Sequence, residues 1–188
     1  MKGKVPEVPG RSWSGIDKIA NRVLSQVYPE LLYKPSAFPV IDFIEFELTG
    51  LCGYKLCVEE LPPLIEAQTD FISKEIILSQ DTYEKLHYND VRARFTAVHE
   101  VGHVFLHSAH FEEIIIQKRT AIRLSRSAIP PFKDPECQAN VFAASILMPT
   151  KHVVNVVQQG NGPMELCNVF DVSWEAATHR INGLDKFL

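Results

Sequence analysis

The sequence has no long apolar segment and no strong excess of charge of one sign. Its most apolar stretch, residues 139–149, is far too short to span a bilayer, and residues 1–15 lack the apolar segment of a secretory signal peptide. The formal net charge of −4 gives no general indication of a nucleic-acid or membrane-surface partner. We therefore expect a cytoplasmic protein that contacts neither membrane nor nucleic acid directly.

Cysteine is scarce, and its spacing suits neither a zinc ribbon nor a disulfide scaffold. The chain has four cysteines, Cys52, Cys57, Cys137 and Cys167, and no two of them form a C-x-x-C pair. At 188 residues the chain can bury a hydrophobic core without disulfide bonds, so we expect free thiols. The chain also shows no internal repeat and no low-complexity tract.

The length and the apolar pattern predict one domain with a short leading segment. Residues 1–15 are poor in apolar side chains and predict a flexible arm. Residues 16–188 predict a single domain that ends in a small helical tail over about 163–188. Apolar residues at helical spacing predict the longer helices, over residues 16–27, 41–48, 91–107 and 135–148, with Gly50 just past the second.

A change of hydrophobic period from about 3.6 to two predicts a small sheet before the third of these helices. Its strands are expected over residues 54–60, 65–69 and 71–79. We predict an α+β fold, mainly helical, with a small and mostly antiparallel sheet beside the helix over 91–107. The edge of this sheet could hold an extended substrate, or the sheet could only cover the helix; the sequence favours neither.

Residues 99–103 read His-Glu-Val-Gly-His, which is the pattern H-E-x-x-H. On a helix, residues four apart lie on one face, so His99 and His103 can present two imidazoles to one metal ion. Glu100 can reach the same position without being a ligand. Two neutral nitrogen ligands beside a carboxylate base are typical of zinc hydrolases, so we predict a Zn²⁺ site. Gly102 indicates a close neighbour across that face, since glycine costs about 1 kcal/mol relative to alanine in a helix.

A catalytic zinc usually has three protein ligands, so the third must lie elsewhere in the chain. Leu106 and Ala109 occupy the positions at which the extended three-histidine motif needs Gly and His, which excludes that pattern. His107 lies one further turn along the helix, where the face has drifted by about 40°. We therefore expect His107 to support the site rather than to bind the metal.

Glu136 is the strongest candidate for the third ligand. It opens the other strongly apolar helix, where a carboxylate is costly unless it is paired or bound to a metal, and His/His/Glu is a known catalytic zinc set. Asn140, one turn later, can hydrogen-bond a liganding imidazole and fix its tautomer. Asp134 and Cys137 remain competing ligands, and Glu136 also fits a simple first-turn acid favoured by the helix dipole.

Two blocks of the sequence resemble the ImmA/IrrE metallopeptidases. Residues 94–107, RFTAVHEVGHVFLH, are similar to the family block R-F-T-x-A-H-E-x-G-H-x-x-x-H. Residues 136–149, ECQANVFAASILMP, are similar to its block E-x-x-A-N-x-F-A-A-x-L-L-M-P, and the tail from Phe170 to Ile181 resembles its ending. The likeness covers about residues 40–184. One departure is that Ala97 and Val98 replace the usual Leu-Ala, and no ligand is missing.

This resemblance implies a zincin-like fold with Glu136 as the third zinc ligand. It also implies a cytoplasmic bacterial or phage-borne protease whose substrate is a regulatory protein, in several relatives a helix-turn-helix repressor of a mobile element or a stress response. Glu100 would then be the catalytic base and would pass its proton to the leaving amine. Three polar side chains are open candidates for the group that stabilises the oxyanion, namely Tyr88, Arg123 and His152.

Two other functions stay open. An inactive zinc-bound module could bind and sequester a partner protein, although such a module has no need of Glu100. The tail helices could instead form a helix-turn-helix that binds DNA. The basic side chains of that tail are His179, Arg180 and Lys186, so phosphate contacts would be few. The intact Glu100 favours the peptidase.

Overall fold

The structure is a computed structural model that describes residues 7–117 and 130–187. Its α-helices are α1 (Trp13–Val27), α2 (Val40–Asp42), α3 (Leu48–Cys52), α4 (Gln80–His87), α5 (Val91–Gln117), α6 (Pro135–Leu147), α7 (Thr150–Gln158), α8 (Pro163–Phe170) and α9 (Trp174–Asn182). Its strands are β1 (Lys55–Glu59), β2 (Ala67–Asp70) and β3 (Glu75–Ser79). This architecture confirms the predicted α+β class.

Residues 7–12, just before α1, are folded onto the rest of the protein. Ser12 caps α1 by accepting a hydrogen bond from the backbone N–H of Gly15 at 3.1 Å, so the helix begins before the predicted start at residue 16. Val8 is 3% exposed, and its N–H donates to the carbonyl oxygen of Lys133 at 3.1 Å. Residues 7–12, which the sequence assigned to a flexible arm, thus pack against the segment that precedes α6.

The second of the longer helices is less regular than the sequence predicts. A π-helical segment, Phe43–Glu47, lies between α2 and α3. The helical run ends at Gly53, which adopts the left-handed conformation with φ +76°, whereas Gly50 lies inside α3. Glycine adopts this conformation without a clash at Cβ, which is why a glycine ends the helix. The predicted end at Gly50 was therefore about one turn too early.

The three strands form one mixed sheet in the order β1-β3-β2. β2 and β3 pair antiparallel, whereas β1 and β3 pair parallel, with Lys55 opposite Glu75. The expected antiparallel pairing therefore holds for one of the two strand pairs. Alternation along a strand tells which side chains face the core, but it does not tell which strand becomes the neighbour. The insertion of β3 between β1 and β2 is decided by the packing of the sheet.

The contact between α5 and α6 lies at the centre of the hydrophobic core. A Cβ at Gly102 would lie 3.1 Å from both the Cα and the carbonyl oxygen of Ala139, and 3.3 Å from the Cβ of Phe142. This is the close neighbour that the glycine indicated. The core around this contact consists of fully buried apolar side chains from both helices, among them Ala97, Val98, Ala143 and Ile146.

A buried arginine fixes the C-terminal helices to the N-terminal one. The guanidinium of Arg180 on α9 has no exposed surface, and its Nη2 lies 3.1 Å from Oδ1 of Asp17 on α1. Its Nε and Nη2 also donate to the carbonyl oxygen of Met148, just after α6, at 3.2 and 3.0 Å. One side chain thereby connects the first helix, the end of α6 and the tail.

The four cysteines are free thiols, as the sequence predicted. Within residues 7–117 and 130–187, no helix combines the length and the apolarity needed to cross a bilayer.

Candidate metal centre

Two histidines and one glutamate bring three donor atoms together between α5 and α6. His99 Nε2 lies 3.0 Å from His103 Nε2. The carboxylate of Glu136 places Oε2 3.2 Å from His99 Nε2 and Oε1 3.5 Å from His103 Nε2. Zinc bonds of about 2.0–2.2 Å in a tetrahedron separate neighbouring ligand atoms by about 3.3–3.6 Å. The three side chains therefore fit a single metal ion.

Local helix geometry places each of these side chains. His99 and His103 are separated by four residues on α5, so they lie on one face of that helix. Glu136 lies in the first turn of α6, where Oδ1 of Asp134 accepts a hydrogen bond from its backbone N–H at 2.9 Å. Asp134, a competing ligand in the sequence, acts here as the N-cap of the helix.

Glu136 is more exposed than the sequence argument supposed. Its side chain is 51% exposed, whereas the side chains of His99 and His103 are 15% and 9% exposed. The first turn of α6 lies at an open end of the helix, so the apolar character of the later turns does not bury this carboxylate. Its closeness to two imidazoles, rather than burial, marks Glu136 as a candidate ligand.

The carboxylate and the imidazoles influence each other's protonation. Hydrogen bonds from His103 and His99 hold the pKa of Glu136 far below its usual range. Burial disfavours the charged form of His99, but the hydrogen bond with Glu136 and the charge of Glu100 outweigh it and raise the pKa of His99. Glu136 is therefore ionised and suited to act as an anionic ligand.

Glu100 is buried beside the two imidazoles of the candidate site. It is 8% exposed, and one of its carboxylate oxygens lies within 4.8 Å of a ring nitrogen of His99 and of His103. The hydroxyl of Thr69 on β2 donates to Glu100 Oε2 at 2.7 Å. Thr69 could not be predicted as a site residue, because nothing near it in the sequence indicates a contact with a residue 31 positions away.

Asn140 contacts the imidazole of His99, as the sequence predicts. Its Oδ1 lies 2.8 Å from His99 Nδ1. With the amide oxygen as acceptor, Nδ1 carries a proton, so the neutral ring that could bind a metal has its lone pair on Nε2. That nitrogen is the one that faces Glu136.

His107 lies behind His103 and apart from the three donor atoms. It has no exposed surface; its Nδ1 lies 3.2 Å from His103 Nδ1, and its Nε2 lies 3.1 Å from Gln138 Oε1. Burial, followed by the neighbouring charge of His103, lowers the pKa of His107 to about 4, so the ring is neutral near pH 7. His107 therefore contacts a candidate ligand without joining the donor atoms, and its role in supporting the site stays a prediction. Gln138 was not predicted to take part in the site. A signal for it was present in the sequence, because an amide in a strongly apolar helix must find hydrogen-bond partners when it is buried.

A known protein family matches the part of the chain that contains the candidate site. A family model described as the IrrE N-terminal-like domain, peptidase family M78, matches residues 84–182, which is more than half of the chain. The chain belongs to this family. The match includes the H-E-x-x-H motif together with Glu136 and Asn140, and it confirms the resemblance seen in the sequence.

One solved structure shows the fold of this IrrE-like domain in another protein. A Mycobacterium tuberculosis transcriptional regulator superposes with a TM-score of 0.58 over 88% of this chain, at 17% sequence identity. At that identity the likeness shows the fold alone. The chain spans 54% of the length of that regulator. No curated protein matches the sequence.

Of the three candidates for the oxyanion donor, the two that the structure describes, Tyr88 and His152, make no contact with the candidate ligands. His152 is 4% exposed, and its Nε2 donates to the carbonyl oxygen of Leu31 at 2.8 Å, so its ring is engaged elsewhere in the core. Tyr88 is 85% exposed at the C-cap of α4. Arg123 lies outside the described residues.

A cavity of about 820 Å³ in the IrrE-like domain shares one side chain, Asn140, with the surroundings of the candidate metal centre. Asn140, which contacts His99, also lines this cavity, together with Thr96 and Cys137. The remaining wall includes apolar side chains of α5, α6 and α9, such as Phe95, Val141, Ala144 and Ala176. Cys137, the other competing ligand in the sequence, thus faces the cavity next to the centre.

Proposed function

We propose that this IrrE-like domain is a zinc-dependent peptidase that hydrolyses a peptide bond in a regulatory protein. The observation that carries the proposal is the meeting of two imidazole nitrogens and the Glu136 carboxylate at 3.0 to 3.5 Å, with the Glu100 carboxylate beside them. Three protein ligands with one open position are typical of catalytic zinc sites, and the Glu100 carboxylate, one oxygen of which accepts from Thr69, is placed to serve as the base. Membership of a peptidase family supports the same reading.

In the proposed mechanism, His99, His103 and Glu136 would hold the zinc ion. The chemistry that zinc would supply there is that of a Lewis acid, which makes a bound water more acidic and polarises a carbonyl group. The carboxylate of Glu100 takes a proton from the attacking water and later gives it to the leaving amine. Thr69 orients this base, because its hydroxyl holds one carboxylate oxygen at 2.7 Å and thereby sets the direction of the other.

The sheet offers a place for the substrate backbone. β2 forms one edge of the sheet, and its Thr69 reaches the candidate base on α5. We propose that an extended peptide pairs with the outer edge of β2, so that main-chain hydrogen bonds hold it across the metal centre. Of the two roles that the sequence left open for the sheet, the Thr69 contact favours this one, because it links the edge strand directly to the base.

We further propose that the substrate is a helix-turn-helix repressor and that the protein acts in the cytoplasm. The resemblance to the ImmA/IrrE metallopeptidases supports this choice, and the similar solved protein is named a transcriptional regulator. Direct DNA binding by the tail is disfavoured, because the guanidinium of Arg180 is buried and paired with Asp17. The tail would then offer only His179 and Lys186 to phosphates.

The test is incubation of the purified protein with a candidate repressor, with zinc and with a chelator. We expect cleavage that the chelator abolishes. We expect Glu100→Gln to bind zinc like the wild type but to cleave about 10²- to 10⁴-fold more slowly, because the base is lost and the ligands are kept. Zinc binding is measured by competition with a chelating dye, and cleavage by mass spectrometry of the products.

Glu84→Gln is the matched control, since Glu84 is an exposed carboxylate on α4 that pairs with Gln80. It should cleave at the wild-type rate. Full activity of Glu100→Gln would disprove the assigned base. Formation of a stable complex with the repressor without cleavage would point instead to a zinc-bound module that sequesters its partner.

A further inference from the structure

Gln138 is a buried side chain whose neighbours fix the direction of its amide. It is 1% exposed. Its Nε2 lies 3.0 Å from the carbonyl oxygen of Pro9 and 2.7 Å from that of Phe132, while its Oε1 lies 3.1 Å from Nε2 of His107. Carbonyl oxygens only accept hydrogen bonds, so the NH₂ end of the amide must face them. The amide oxygen is then the group that faces His107, and it too can only accept.

The direction of the amide decides which nitrogen of His107 carries the proton. Because Oε1 of Gln138 accepts, Nε2 of His107 donates, and the neutral ring has its lone pair on Nδ1. That Nδ1 lies 3.2 Å from Nδ1 of His103. One of two facing ring nitrogens must supply the proton of such a contact, so Nδ1 of His103 is the donor. In the neutral ring that metal binding requires, the lone pair of His103 is then on Nε2, which faces His99 and Glu136.

We propose that Gln138 and His107 are positioning residues that hold His103 in the tautomer that can bind the metal. The inference rests on the proposed zinc site. In the opposite tautomer, His103 would direct an N–H at the metal position and could not be a ligand. The tautomer of His99 is determined by one direct contact with Asn140. The tautomer of His103 is determined by two side chains in series, because His107 contacts His103 and Gln138 contacts His107. That series ends on the backbone of residues 9 and 132, so the N-terminal segment takes part in orienting the metal centre.

A matched pair of substitutions at His107 separates this role from simple packing. Asparagine and leucine have nearly the same shape, but only asparagine offers an oxygen close to the former position of Nδ1. We expect His107→Leu to lower the zinc affinity by about 10- to 100-fold, the usual effect of losing a partner of a metal-binding histidine. We expect His107→Asn to keep the affinity close to that of the wild type, because Oδ1 can accept from His103. Both are measured by competition with a chelating dye.

Equal zinc affinity of the two variants, whether both unchanged or both lowered, would overturn the positioning role of Gln138 and His107 while leaving the proposed zinc site intact. If the wild type itself bound no zinc, the proposed function would fail, and the positioning role would fail with it. A second measurement needs no variant and covers the case in which His107→Leu does not fold. Long-range ¹H–¹⁵N spectra of the zinc-loaded wild type should show His107 neutral and protonated at Nε2. A proton on Nδ1 of His107 would overturn the proposal.

Discussion

Each histidine of the proposed metal pair has a partner for the ring nitrogen that faces away from the metal position. Asn140 serves His99, and His107 serves His103. Such partners orient the ring and raise its basicity as a ligand. Asn140 could be proposed from the sequence because it lies one helical turn after Glu136. The pairing of His107 with Gln138 needed the structure, since it joins two helices.

At the residue scale, we predict that Asn140→Leu lowers the zinc affinity by about 10- to 100-fold, because Nδ1 of His99 loses its acceptor. Asn140→Asp is the matched control, since a carboxylate of the same length still accepts from Nδ1, and it should retain the affinity. Dye competition gives both values. The role assigned to Asn140 would be refuted by a leucine variant that binds zinc as tightly as the aspartate variant.

Two helices set the spacing of the candidate ligands. α5 carries His99 and His103, and α6 carries Glu136, so the distance between the helix axes decides whether the three donor atoms meet. That distance is short because Gly102 faces the backbone of Ala139 without a side chain between them. The glycine thus affects the candidate metal centre through helix packing, because it sets the distance between the two helices that carry the candidate ligands.

At the element scale, we predict that Gly102→Ala destabilises the protein by about 1–3 kcal/mol. Alanine normally favours a helix over glycine, but here its Cβ would meet the backbone of Ala139 at 3.1 Å, and backbone cannot move aside as a flexible side chain can. Urea denaturation measures the change. We also expect weaker zinc binding, because α6 would be displaced together with Glu136.

The control is Gly50→Ala on α3, where a Cβ would meet no atom within 4 Å. This substitution should leave the stability unchanged or raise it by up to about 1 kcal/mol. A Gly102→Ala protein that was as stable as Gly50→Ala would show that α5 and α6 are not held at this distance by the glycine.

Across the whole molecule, buried polar contacts connect segments that are distant in the sequence. Oδ1 of Asp17 accepts from Arg180 at 3.1 Å and from Thr150 at 2.6 Å, which joins the first helix to the last fifth of the chain. Gln138 joins α6 to the segment before α1 in a similar way. These contacts hold the apolar core in one arrangement, because a buried polar group without its partner is costly.

At the scale of the whole molecule, we predict that Asp17→Ala destabilises the fold by about 3–5 kcal/mol, because it leaves the buried guanidinium of Arg180 without its counter-charge. Asp81→Ala is the control: Asp81 pairs with Lys85, but its side chain is 72% exposed. An exposed pair of this kind contributes about 0–1 kcal/mol. Chemical denaturation of both variants would contradict the prediction if the two losses were equal.

The local parts of the fold and of the candidate site follow from the sequence. Apolar periodicity predicts α1, α5 and α6 and the three strands, because the side chains of a helix or strand repeat with a period that the residues themselves display. The four-residue spacing of His99 and His103 places two imidazoles on one face by helix geometry alone. The start of α6 at Asp134 and Pro135 is equally local, since the cap bonds to the next turn. The role of His99, His103 and Glu136 as zinc ligands stays a prediction.

The parts that only the tertiary structure decided involve contacts between distant segments. Periodicity contains no information about which strand lies beside which, so the mixed order β1-β3-β2 could not be predicted. The same holds for the contact of Thr69 with Glu100 and for the docking of residues 7–12 against the chain before α6. The closeness of the two imidazoles of the H-E-x-x-H motif follows from the sequence, because a helix places residues four apart on one face. In our proposal, the ring nitrogen of His103 that carries the proton is determined by packing, because Gln138, His107 and two backbone carbonyls must first be brought into contact.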